Sequence, residues 1–149
     1  MTTPDPAKAE LLEAVLMRAA ETLGDLTGPT MGLFYERYPD ALAAFEHHGF
    51  GKRERLEADM VDTALYCVMT WLERPAEVAI MLYGSVPHHR NTLKVHTEWY
   101  RGLLSSLIDL VAGTVPAGAA TDAALVEDIR AGLFGAIDEA LADQPAISG

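Results

Sequence analysis

The chain has 149 residues, half of them hydrophobic, a length and composition that suit one buried core and exclude a disordered chain. Its 22 acidic and 11 basic residues leave a net charge of −11, which opposes binding to nucleic acid or anionic lipid, where phosphate contacts need clustered Lys and Arg. The single cysteine, Cys67, rules out an intramolecular disulfide and any cysteine-based zinc or iron–sulfur centre.

Apolar residues recur at three- and four-residue steps almost throughout, the spacing of amphipathic helices. The first stripe, Leu11, Leu12, Val15, Leu16, Ala19 and Leu23, stops at Gly24. Thr27-Gly28-Pro29 starts a second helix, with proline in the first turn, and Met31, Phe34, Tyr35 and Tyr38 follow. Pro39 ends it and opens a short helical turn from Asp40 to Phe45; His47-His48-Gly49-Phe50-Gly51 reads as a loop. A long helix is expected from about Arg53 to Glu73, with its acids Glu54, Glu57, Asp59 and Asp62 on a solvated face.

Pro75 starts the next helix, through Val78, Met81 and Leu82, which Gly84 and Pro87 are expected to interrupt. Thr97 to Ala112 forms another, stopped by Gly113, and a last helix runs from about Thr121 to Ala142. No segment shows the alternation of a strand, so an all-α domain of six to eight helices is expected. Its core spans about residues 8–142, with residues 144–149 a frayed tail. No apolar run approaches the roughly 18–20 residues of a membrane-spanning helix, and the first residues lack the blocks of a secretion signal. A cytoplasmic protein is expected.

Two motifs carry chemistry. His89 is followed by Leu93, Val95 and Tyr100, and upstream stands Tyr38-Pro39 with Phe45 six residues past the proline. Taken together the two patterns, with no gap needed between Phe45 and His89, resemble the globin family. The resemblance covers roughly residues 8–142 and implies a globin-like fold, a three-over-three helical sandwich around a haem pocket. It further implies haem b held through His89 as proximal ligand, and the binding of a diatomic gas such as oxygen, carbon monoxide or nitric oxide. The roles that go with this are oxygen transport or storage, gas sensing or nitric oxide detoxification. Dioxygenase or peroxidase-like turnover would need a separate reductase. The alternative is a haem-free globin-like domain for regulation or protein interaction, which Pro87 and an apolar distal side would favour.

The same register makes Phe45, Leu93, Val95, Leu103 and Leu107 pocket walls, with Tyr100 beside them. His47, Arg90 and Lys94 fall where cations would meet the haem propionates. On a helical projection His89 shares a face with Val78, Leu82 and Ser85, whereas His88 does not; His96 falls at a helix start, where capping or exposure accounts for it. Pro87 is expected to force a kink or a restart near Ser85. Trp71 and Trp99 read as core anchors, and Cys67 as a small buried hydrophobe.

On the distal side Met60 and Ala64 occupy the register positions, with Met31 nearby, and none of them donates a hydrogen bond. Tyr35, His47 and Tyr66 are the candidates to fill that gap, and packing or exposure is the simpler account of each. Met60 is either an apolar wall or a thioether donor to iron opposite His89. The wall reading expects a high-spin optical spectrum that Met60→Leu leaves unchanged; a low-spin spectrum lost in that variant would establish coordination.

Overall fold

A computed structural model describes residues 5–91 and 95–143. Leu93, Lys94 and the expected tail over residues 144–149 lie outside the described residues. All described regular structure is helical: α1 (Pro6–Leu23), α2 (Thr27–Arg37), α3 (Ala41–Gly49), α4 (Arg53–Thr70), α5 (Pro75–Asn91), α6 (Thr97–Gly113) and α7 (Ala120–Asp143). None of the described helices is long and apolar enough to cross a membrane.

Local chemistry sets the ends. Asp5 caps α1 by accepting the Ala7 N–H at 2.9 Å, and Pro6 occupies the first turn, where no N–H is needed. Asp25 accepts the Thr27 N–H at the start of α2, again at 2.9 Å. The helices then assemble through their apolar stripes. Val15, Phe34, Val61, Val78, Leu107, Ile129, Leu133 and Ile137 are almost completely removed from solvent. Full burial of such a side chain contributes roughly 1.5–3 kcal/mol. Exposed ion pairs such as Arg53–Glu46 and Arg74–Glu77 contribute at most about 1 kcal/mol each. Apolar burial decides the assembly.

The pairings have a simple order. Helix α6 packs against both α2 and α7, and α1, α4 and α5 each contact α6 and α7. Helix α5 packs most extensively on α7, and α3 rests on α4. Two glycines permit close approach. A Cβ on Gly102 would run into the ring of Tyr38, and one on Gly132 into the indole of Trp71. Trp71 is thus a packing anchor between the end of α4 and α7.

Three segments differ from the expectation. Helix α3 continues through His47 and His48 to Gly49 instead of ending at Phe45. It stops where Phe50 turns left-handed (φ +49°), followed by Gly51 at φ +80°. Helix α5 is unbroken through Pro87, with no restart at Ser85. An interior proline costs about 3 kcal/mol, and buried Val78, Leu82 and Val86 on one stripe against α7 together offset that. Glu57 departs from the solvated face of its neighbours. Glu54, Asp59 and Asp62 are exposed, whereas Glu57 is only 8% exposed. It accepts the Tyr35 hydroxyl proton at 2.6 Å and lies 3.4 Å from Nε of Arg53, one turn away.

Gly102→Ala therefore forces α2 and α6 apart and is expected to lower stability by about 1–3 kcal/mol in denaturant unfolding. Gly84→Ala, where an added Cβ meets nothing within 4 Å, is expected to raise stability by about 0.4–1 kcal/mol.

Candidate functional site

The buried stripe of α5, Val78, Leu82 and Val86, extends by three residues to His89. That periodicity turns His89 inward and leaves His88 exposed on the outer face. His89 lines a cavity of about 110 Å³ that opens to solvent at its mouth. Around it stand Phe34 of α2, Ala44, Phe45 and His48 of α3, and Leu56, Met60, Thr63, Ala64 and Cys67 of α4. Leu82 of α5, Val95, and Trp99, Tyr100, Leu103 and Leu104 of α6 complete the wall. Phe45 packs edge-on against Phe34 and Tyr35, with centroids 5.8 Å apart in both pairs.

The imidazole of His89 is oriented by one carbonyl. Nδ1 lies 2.8 Å from the backbone oxygen of Ser85, and since a carbonyl only accepts, Nδ1 carries the proton. Ser85 Oγ lies 3.4 Å from the same nitrogen and receives a hydrogen bond from the Tyr100 hydroxyl at 3.1 Å. The Tyr100 ring stands nearly perpendicular to the imidazole, centroids 5.2 Å apart. Burial lowers the His89 pKa from the ordinary value of 6.5 and outweighs the opposing pull of the Ser85 carbonyl. The ring is neutral near pH 7, with Nδ1 committed and the Nε2 lone pair left for the cavity.

The other sequence-expected residues divide. Phe45, Met60, Ala64, Val95, Tyr100 and Leu103 stand on the cavity wall with His89. Arg90, half-buried in the last turn of α5, is not on the wall, and His47 is exposed and points away from it. Leu107 and Met31 are buried in the core away from the cavity. Tyr35 is engaged with Glu57, and exposed Tyr66 donates to Glu77 at 3.2 Å.

Sequence reasoning missed His48 and Trp99. With residues 47–51 expected as a loop, no helical phase distinguishes His47 from His48, and the helical spacing of Trp99 suits a core anchor. Its indole in fact stands on the cavity wall, 4.6 Å from the ring of His96. Cys67 is buried, as expected, and burial raises its thiol to about 11, so it is a neutral part of the wall. Among the described residues no three His, Cys, Asp or Glu side chains gather as a metal cage. Comparison of the chain with protein-family models, curated proteins and solved structures finds no match.

Because the folded state disfavours protonated His89, the unfolded chain takes that proton first as pH falls through 6.5. The contribution of neutral His89 is complete above 6.5 and is lost below it. In thermal unfolding of the polypeptide without bound groups, wild type is expected to lose more stability between pH 7.5 and pH 5 than His89→Leu does.

Proposed function

We propose that the chain is a haem-binding globin that holds iron through His89 and takes up a diatomic gas. One observation carries this reading: a neutral imidazole, its Nδ1–H fixed on the Ser85 carbonyl, turns its remaining lone pair to a cavity walled by aliphatic and aromatic side chains. Histidine ligands of metals commonly have this arrangement, in which the second nitrogen donates to a carbonyl and fixes ring and tautomer. A lone imidazole suits a metal already held in a plane by another ligand, and the apolar wall suits the faces of a tetrapyrrole. The all-helical architecture is compatible with the reading, with α5 packed most extensively on α7 and α6 in contact with α2 and α7.

When bound, haem b would supply the ferrous iron at which oxygen, carbon monoxide or nitric oxide binds. The residues present fit the group. His89 would hold the iron, with Tyr100 and Ser85 keeping its ring in place. Phe45 and Leu103 would press on the ring system, and Met60, Ala64 and Cys67 would keep water from the opposite wall. In this reading gas binding in the cytoplasm is the activity, and enzymatic turnover needs a separate reductase.

The test is direct. Protein produced with adequate iron and haem is expected to be red, with an intense absorption band near the violet edge. His89→Ala is expected to lose most of its haem during gel filtration, while His88→Ala, altered on the exposed face, retains it. Wild type that binds no haem overturns the proposal.

A further inference from the structure

Single exposed apolar side chains are ordinary on a protein surface, whereas contiguous ones mark a site of interaction. Among the described residues six large apolar side chains are exposed, and four of them stand on α4 and α5. Tyr66 and Met69 lie one turn apart on α4, and Ile80 and Tyr83 one turn apart on α5. The Tyr66 hydroxyl reaches Glu77 at 3.2 Å, and Glu77 lies one turn before Ile80, so the two pairs adjoin. Ile80 at 73% and Met69 at 52% exposure leave much of their surface in water, a cost that a partner would remove. Met17 on α1 and Phe50 after α3 belong to other elements.

Acids ring this face. On α4 the stripe runs back from Tyr66 to Asp62 and Asp59, four and seven residues earlier, and both are exposed. Exposed Glu73 follows Met69 in the turn between the helices, and Glu77 stands between Tyr66 and Ile80. Arg74, in the same turn, is paired with Glu77 at 3.1 Å. Charge then decides which partner fits. A second copy would bring two such acidic rims together in a chain already at −11, and nucleic acid or anionic lipid would meet the same repulsion. A protein with Lys and Arg around an apolar patch meets attraction instead, and tyrosine and methionine are side chains that interfaces favour.

We infer that the outer face of α4 and α5 docks a protein partner whose own apolar patch is ringed by lysines and arginines. Met69 and Ile80 form the dry centre of the contact, and Asp59, Asp62 and Glu73 its charged rim. The partner lies on the outside of α5, the helix whose inner stripe leads to His89.

The inference does not depend on bound haem, and its test uses the full chain. The probe is a synthetic amphipathic helical peptide with a leucine stripe flanked by lysines. It is expected to bind saturably in calorimetry and to move the amide resonances around Tyr66, Met69, Ile80 and Tyr83. Met69→Ser with Ile80→Ser is expected to weaken binding about tenfold or more, as loss of an interface centre does, and Met17→Ser to leave it unchanged. All three side chains are exposed, so the melting temperature is expected to stay near the wild-type value. A peptide with glutamates in place of the lysines is expected not to bind. Failure of the lysine peptide to bind overturns the inference, as does equal binding of the glutamate peptide. So do resonance changes spread over the acids of every helix, or an equal loss in Met17→Ser. A wild-type dimer that Ile80→Ser converts to monomer also overturns it, since a second copy would then cover the face.

Discussion

The hydrogen bond from His89 Nδ1 to the Ser85 carbonyl, 2.8 Å long, is the constraint on which the site depends. It links a side chain to the backbone of its own helix one turn earlier. The orientation of the ring is thus set by the helix itself and not by a mobile loop. Tyr100 reinforces it from α6, through Ser85 Oγ and through its ring. Without that anchor a half-buried imidazole would turn to find a partner, since burying an unbonded ring nitrogen costs about 1–3 kcal/mol. With it, one nitrogen is satisfied and the other is presented. A buried histidine that was only structural would be served best with both nitrogens bonded.

The packing follows a division between tight and open regions. Where α2 meets α6 and where the end of α4 meets α7, glycines let aromatic rings sit directly against backbone. The cavity lies elsewhere, bounded by α2, α3, α4, α5 and α6, with buried Leu82, Leu103 and Leu104 on its core side. Polar contacts add specificity to this arrangement. Arg130 bridges Asp109 at 2.6 Å, and Arg37 meets the same carboxylate at 2.8 Å, tying α7 and α2 to α6. Burial raises the Asp109 pKa, but the two guanidiniums outweigh it and keep the acid ionised. Glu57 with Tyr35 does similar work between α4 and α2.

Much of this was legible in the chain itself, for identifiable reasons. The helix end at Leu23 follows from sharp local chemistry at Gly24, and the stop expected at Gly113 falls one residue short of the observed end of α6. The inward phase of His89 follows from Val78 and Leu82, because residues three, four and seven apart share a face. What was not legible depended on partners distant in sequence. The run His47 to Gly51 has glycines enough for a loop, and only packing on α4 makes it the last turn of a helix. A shift of one residue turns a side chain by about 100°. That shift puts His48 on the cavity wall and leaves His47, expected at the pocket mouth, exposed. Pro87 predicts a break from its own chemistry, and the burial of α5 against α7 overrides it. Glu57 looks like any acid on a polar face until Tyr35, twenty-two positions earlier, is brought beside it.

The apolar lining of the crevice has a thermodynamic consequence. Interiors elsewhere in the molecule gain dispersion energy because atoms touch on every side, and side chains facing a cleft have neighbours on one side only. A flat, greasy molecule seated there would complete those contacts and act as a portion of the hydrophobic interior brought in from outside. Folding and occupancy are then linked equilibria, and each must strengthen the other by the same factor. Substitutions far from the crevice that loosen the helices would weaken retention as surely as changes to its walls.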